Sequence, residues 1–318
     1  MILPPPLAPP LAGGDKSVIM TNQSKAIVIV GPTSSGKTEL SLRLVKKFNG
    51  VVISADSRQI YRHMDIATAK TTKAQQQGIT HYMIDIADPD EEFTLAIYQH
   101  TVNNLLKAIT EDNEKRKAPI VPFIVGGTGL YIKAVVNGYQ LPTIPPNKIL
   151  REELNQKTLA TLIKQLLILD PTTRVDLKNK RRVIRALEIL MTQPNLAPKI
   201  VPPAYDFLKI GISRPRAELY QRIDNKVEEM YRAGLVKETQ KLLGMGHDFT
   251  SPSMSAHGYK HIQKYLEHKI TLKAALESMK KDTRHYVKRQ MTWFKKDPQI
   301  HWIQSPIEAE KLIAAFLS

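Results

Sequence analysis

The first half of the chain alternates short, unbroken apolar runs with longer stretches of helical period. Residues 27–30 (IVIV) are β-branched with no polar break, the pattern of a parallel strand covered on both faces. Residues 51–55, 79–86 and 120–125 read as further strands. Between the last two, residues 93–111 place Leu95, Tyr98, Val102, Leu105, Leu106 and Ile109 on one side of an amphipathic helix. This alternation predicts an α/β fold with a doubly wound parallel sheet, and ligands at the carboxyl ends of its strands.

The pattern changes at the proline-rich residues 142–146. Residues 148–199 are charged, helical in period and without a strand candidate, and residues 207–212 then return to the apolar run of a core strand. Helices are expected over 216–233 and 235–243, and residues 258–296 read as helical and strongly basic. The predicted layout is a first part of the core (25–145), a helical insertion (146–200), and a segment (201–318) that completes the core and ends in basic helices. Residues 1–24 contain MILPPPLAPPLAGG, proline-broken and lacking the basic start of a signal peptide, so they are expected to be a disordered extension. Met20 is a candidate start codon.

Charge sharpens this picture. Lys and Arg number 46 against 30 Asp and Glu, a net charge of +16, which points to a polyanionic partner with nucleic acid first in line. The chain has no cysteine, so disulfides, thiolate metal sites and cysteine nucleophiles are excluded, and a reducing cytoplasmic setting fits. No apolar run is long enough to span a membrane. A monomer is the default expectation.

One motif dominates the chemistry. Gly31-Pro32-Thr33-Ser34-Ser35-Gly36-Lys37-Thr38 follows the first strand and opens a helix, giving the G-x-x-x-x-G-K-T phosphate-binding loop in its proper context. The sheet is therefore expected to be P-loop NTPase-like. Backbone N–H groups wrap a diphosphate or triphosphate, Lys37 supplies a point charge, and the Thr38 hydroxyl can ligate Mg²⁺. Asp56 ends the second strand and would stand beside whatever the loop holds, as a general base or a Mg²⁺ ligand of Walker-B type; the plainer reading is a turn aspartate. The loop after it packs Ser57, Arg58, Gln59, Tyr61 and Arg62 together, more hydrogen-bonding capacity than a connection needs. Gly126-Gly127-Thr128-Gly129 is a second glycine turn, which would aim Thr128 at the same crevice.

Two basic clusters stand apart. Residues 178–185 (KNKRRVIR) open a helix with Arg182 and Arg185 on one face and Val183, Leu187 and Leu190 on the packing side. Residues 280–296 interleave lysines and arginines with Tyr286, Trp293 and Phe294, which suits phosphate contacts on a nucleic acid. His257 and His261 have the i, i+4 spacing of a metal pair but lack an acidic third ligand.

The stretches GPTSSGKT, ISADSRQIYRHMDIATAK, VGGTGLYIKAV, RRVIRALEI, ELYQRIDNKVEEMYRAGLVKE, GYKHIQKYL and TRHYVKRQMTWFKKD together resemble the tRNA dimethylallyltransferase family, from about residue 25 to 297. The resemblance implies transfer of the dimethylallyl group of dimethylallyl diphosphate to N6 of the adenosine 3′ of the anticodon in tRNA, with Mg²⁺. It implies that residues 33–38 grip the donor diphosphate rather than ATP, that Asp56 is the base, and that Thr38 and Arg222 help hold the diphosphate. It further implies tRNA contacts at Asp56, Ser57, Arg58, Gln59 and Thr128, and at Arg181, Arg182, Val183, Ile184 and Arg185. The absence of cysteine places the chain with the bacterial type, since eukaryotic members carry a cysteine zinc finger. Alternatives are an adenylate isopentenyltransferase acting on a free nucleotide, or a P-loop kinase of a small molecule. Neither needs so large a positive charge.

Overall fold

In the computed structural model, residues 24–139, 141, 144, 146–192, 205–251 and 253–318 are described. The expected N-terminal extension (Ser24 apart), most of the 142–146 boundary and the stretch after residue 192 lie outside them.

A strand β1 (Ser24–Val30) leads through the phosphate-binding loop into helix α1 (Lys37–Lys47) and strand β2 (Gly50–Ser54). A long loop carrying the short helix α2 (Lys73–Gln76) reaches β3 (His81–Tyr82). Helix α3 (Leu95–Asn113), strand β4 (Val121–Gly126) and helix α4 (Gly129–Val136) complete the first part of the core. The insertion holds α5 (Lys148–Gln156), α6 (Leu159–Leu169) and α7 (Lys180–Thr192). Strand β5 (Tyr205–Ile212) returns to the sheet, followed by α8 (Arg216–Arg232), α9 (Leu235–Gly244), α10 (His257–Leu266) and α11 (Leu272–Phe294). Strand β6 (Ile300–Ile303) and helix α12 (Pro306–Leu317) close the chain.

The six strands pair in the order β3-β2-β4-β1-β5-β6, all parallel. Alternate residues of β1 supply both cores, as a doubly covered strand must. Val28 and Val30 pack towards α3 and α4, whereas Ile27 and Ile29 pack towards α1 and α12. Each fully buried Val or Ile contributes roughly 1.5–3 kcal/mol, which is why this strand anchors the sheet.

One expectation changes and two gain detail. The strand expected over 79–86 shrinks to two residues, because Met83 and Asp85 adopt positive φ (63° and 56°) and turn the chain out of the ladder. The basic stretch 258–296 is two helices: His268 adopts φ 57° after α10, and the Thr271 side chain accepts from Ala274 N–H to start α11. Finally, β6 and α12 extend the core past residue 296. There, Glu310 bridges Arg43 and Lys47 of α1.

The insertion has a core of its own around Leu154, Leu162, Leu166, Val183, Ile184 and Leu187. Glu188 fixes it to the chain entering it. Its carboxylate, fully buried, accepts from Asn147 N–H (2.6 Å), Arg151 (2.9 Å to each oxygen) and Arg185 (2.5 Å). Burial alone would raise the pKa of Glu188, but the hydrogen bonds from Arg151 and Arg185 prevail and hold it below the usual carboxylate range.

Candidate active site

The carboxyl ends of β1, β2 and β4 converge on one crevice, as the strand order requires. At the first, Gly36 is the N-cap of α1 with φ 96°, and no side chain caps that helix, so the amides of its first turn are left for a ligand. A Cβ on Gly36 would be strained by that φ and would also meet the Arg214 guanidinium at 3.1 Å. Ser34 adopts φ 64°, and the buried Ser35 hydroxyl has no hydrogen-bond partner among the described residues. Lys37 donates its ammonium to the Pro32 carbonyl at 2.8 Å, closing the loop on itself. Desolvation pulls the Lys37 pKa down to about 8, partly offset by the negative charge of Asp56.

At the end of β2, Tyr98 donates to the Ser54 carbonyl (3.1 Å) and stacks on Tyr131 with ring centroids 4.0 Å apart. Two residues on, Asp56 Oδ1 accepts from Arg58 N–H at 2.9 Å, the turn expected of an aspartate here. Thr128, after β4, is drawn to the same place: its N–H donates to the Ala55 carbonyl, and its hydroxyl accepts from Ser57 N–H, both at 3.1 Å. Thr33, Ser34, Asp56, Arg58, Thr68 and Tyr286 are among the residues around a cavity of about 320 Å³. The phosphate loop and the candidate base therefore share one space.

The loop between Ser57 and Lys70 is held from outside the sequence neighbourhood. Glu238 on α9 accepts three consecutive backbone N–H groups, from Asp65 (2.9 Å), Ile66 (2.7 Å) and Ala67 (3.0 Å), and the Tyr259 hydroxyl at 2.8 Å. The buried Lys70 ammonium joins the Tyr61 carbonyl, Asp65 and Asp85 at 2.7, 2.6 and 2.5 Å. The Gln59 side-chain amide donates to the Ala69 carbonyl at 3.4 Å, and its backbone carbonyl accepts from Asp85 N–H at 3.2 Å.

Two site residues escaped the sequence reading. Arg214, just after β5, donates Nε to the Ser35 carbonyl at 2.6 Å. Its other arm shares Glu218 Oε1 with Arg222, at 2.6 and 3.6 Å respectively. Arg222 thus stands beside Arg214, but the phosphate-loop contact is made by Arg214. The available signal was a cation at the carboxyl edge of a core strand. Gln290, in α11, accepts from Thr33 N–H and donates to the Gly127 carbonyl, both at 2.9 Å.

The insertion cluster divides. Arg181 and Arg182 are exposed, with Arg182 3.8 Å from Asp176. Arg185 is committed to Glu188 and, at 2.9 Å, to the Ile144 carbonyl. Val183 and Ile184, expected to meet RNA, are instead buried in the insertion core, so their side chains serve packing. Of the histidine pair, the His257 side chain lies outside what is described; His261 Nε2 lies 3.1 Å from Asp282, and among the described residues no cluster of three His, Cys, Asp or Glu groups could hold an ion. A Thr38 hydroxyl without such a cluster suits Mg²⁺, which keeps several waters and is bound chiefly through substrate phosphates.

A family model described as IPP transferase matches residues 59–297. The chain is 42% identical over 295 residues to a tRNA dimethylallyltransferase of Roseiflexus sp. (strain RS-1), covering 90% of this chain and 94% of that protein. It is 40% identical over 297 residues to the tRNA dimethylallyltransferase of Carboxydothermus hydrogenoformans, covering 90% and 93%. The crystal structure of the tRNA isopentenylpyrophosphate transferase of Bacillus halodurans superposes with a TM-score of 0.69 at 37% identity, covering 92% of this chain and 96% of that one. A eukaryotic dimethylallyltransferase acting on tRNA superposes with a TM-score of 0.74 at 26% identity, covering 88% and 73%. Sequence, sheet and crevice lead to the same place: the chain belongs to the IPP transferase family, whose members are prenyltransferases.

Proposed function

We propose that this protein transfers the dimethylallyl group of dimethylallyl diphosphate to N6 of the adenosine 3′ of the anticodon in tRNA, releasing diphosphate. The observation that carries the reading is the shared cavity, lined by Asp56 together with the phosphate-loop residues Thr33 and Ser34. The names of the relatives supply the substrate class.

The chain's own residues suffice for the main steps. The adenine N6 lone pair is delocalised into the ring, so N6 is a poor nucleophile until its N–H finds an acceptor; the Asp56 carboxylate accepts that proton as the N–C bond forms. The allylic C–O bond breaks and its electron pair stays on the diphosphate. There the amides at the start of α1, Lys37, Arg214 and Arg222 stabilise the growing charge. Mg²⁺ held at Thr38 would neutralise further charge on the same diphosphate. The adenine must leave the anticodon-loop stack to reach the cavity, so base flipping is part of the reading. The net charge of +16 and the exposed Arg181 and Arg182 suit an RNA backbone. We assign the protein to the cytoplasm as a monomer. No helix in the described residues is long and apolar enough to cross a membrane.

Label transfer from radiolabelled dimethylallyl diphosphate, with Mg²⁺ and without ATP, tests the reading when unmodified tRNA and free AMP are offered in parallel. Label in tRNA alone is expected. Label in AMP alone would move the protein to the adenylate branch.

A further inference from the structure

We propose that Gln290 is a positioning residue that sets the separation between the diphosphate cradle and the acceptor side of the cavity; the inference rests on the prenyl-transfer reading above. Gln290 is buried near the C-terminal end of α11, far in sequence from both loops it touches. Thr33 N–H can only donate and the Gly127 carbonyl can only accept, so the orientation of the side-chain amide is dictated by its partners. One planar group thereby joins the turn after β1 to the turn after β4. The fit is close on the glycine side, where a Cβ at position 127 would lie 2.4 Å from Gln290 Nε2.

The connection continues beyond Gly127. Thr128 is bonded to the Ala55 carbonyl and to Ser57 N–H, which flank Asp56. A path of hydrogen bonds therefore runs from the loop that cradles the leaving group, through Gln290, to the residues on either side of the base. In a transfer reaction the nucleophile and the allylic carbon come from different substrates, so their approach depends on how far apart the two half-sites are held. Misplacement by about 1 Å costs about a hundredfold in rate. Gln290 touches neither the diphosphate nor the adenine in this account. It acts through Thr33 and Gly127, and its side chain also hydrogen-bonds Tyr286, one turn back on α11 and at the cavity wall.

The chemistry of the amide supplies a specific test. Leu at 290 loses both bonds and the contact with Tyr286. An ionised Glu can accept from Thr33 N–H but sets a negative oxygen against the Gly127 carbonyl. Once protonated, Glu accepts with one oxygen and donates with the other, restoring both bonds. Burial against a carbonyl raises the pKa of such a carboxyl, opposed by the Thr33 N–H and by Arg58 and Arg289, the cations that also act on Tyr286.

The experiment is single-turnover prenyl transfer to tRNA by the native protein, Gln290→Leu and Gln290→Glu, from about pH 8.5 down to about pH 6, with unfolding midpoints taken at each pH. Expressing each variant rate relative to the native rate cancels the titration of other groups. The expected result is a Gln290→Leu rate at least about tenfold below native at every pH, and a Gln290→Glu ratio that climbs about tenfold as pH falls. Saturating either substrate should not restore the Leu variant, since its defect lies in the transfer step. Native-like rates in both variants, a Glu ratio indifferent to pH, or an unfolding midpoint that tracks the rate would each overturn the inference. No transfer by the native protein would instead remove the reading on which it rests.

Discussion

Arg214 donates Nε to the carbonyl of Ser35 at 2.6 Å, which ties the strand after the insertion to the phosphate-binding loop before it. The two residues are 179 positions apart in the chain. The bond orients the loop, and the guanidinium lies within reach of anything bound at Gly36. Charge-assisted hydrogen bonds contribute about 1.5–3 kcal/mol, so Arg214→Ala should raise the KM for dimethylallyl diphosphate by at least about tenfold while the KM for tRNA stays level. Arg214→Lys should recover little, because an ammonium cannot serve Ser35 and Glu218 together as a planar fork does. Steady-state kinetics with each substrate varied in turn decides this.

Lys37 gives the donor site a pH dependence whose direction follows from its pKa of about 8. Below that pH the ammonium is charged and ready for diphosphate. Above it the side chain is neutral, and binding must take up a proton. The Lys37 contribution to the affinity for inorganic diphosphate should be flat below about pH 8 and then weaken, approaching tenfold per pH unit. Titration calorimetry of the native protein and Lys37→Ala checks it, because the variant retains the ligand's own titration. Identical pH profiles would mean that Lys37 does not meet the diphosphate.

Glu188 is expected to hold the insertion together. Its folded pKa is depressed, so its contribution is fully present above the unfolded carboxylate value and is lost as pH falls through the folded one. Glu188→Ala removes the carboxylate from Arg151 and Arg185, which are 34% and 32% exposed, and should destabilise the protein by about 1.5–3 kcal/mol at neutral pH. Thermal unfolding should show that difference shrinking below about pH 4. A constant difference across pH would locate the effect in packing alone.

The insertion arginines should separate by function. Neutralising Arg181 and Arg182, both exposed, should weaken tRNA binding and reduce the slope of log K against log salt. Arg185→Ala should act mainly on stability, because its partners are Glu188 and Ile144. Filter binding across a salt series, paired with melting curves, distinguishes the two outcomes.

What the sequence reveals follows from how local each signal is. Strands β1, β2 and β4 are legible as unbroken apolar runs, and the phosphate loop as a motif in context. The stretch 79–86 misleads because Met83 and Ile86 look like strand residues, while positive φ at Met83 and Asp85 is invisible in their side chains. Strand β6 is only four residues, IHWI, with polar His301 breaking the run. Val183 reads correctly as a packing residue by helical period, and Ile184 beside it is buried too, although a family stretch places both at the RNA. Arg214, Glu238 and Gln290 act across the fold as single residues, and no spacing announces a contact between α11 and the loop after β1.

In the proposed reaction one crevice joins a prenyl diphosphate to a particular adenine. Unmodified tRNA incubated with the protein, Mg²⁺ and dimethylallyl diphosphate, in the absence of ATP, should be digested and mapped by mass spectrometry. The account predicts N6-dimethylallyladenosine at the position 3′ of the anticodon, and none with Asp56→Ala even though that variant still binds tRNA within a few-fold. Prenylation at another nucleotide, a strict need for ATP, or full modification by Asp56→Ala would contradict it.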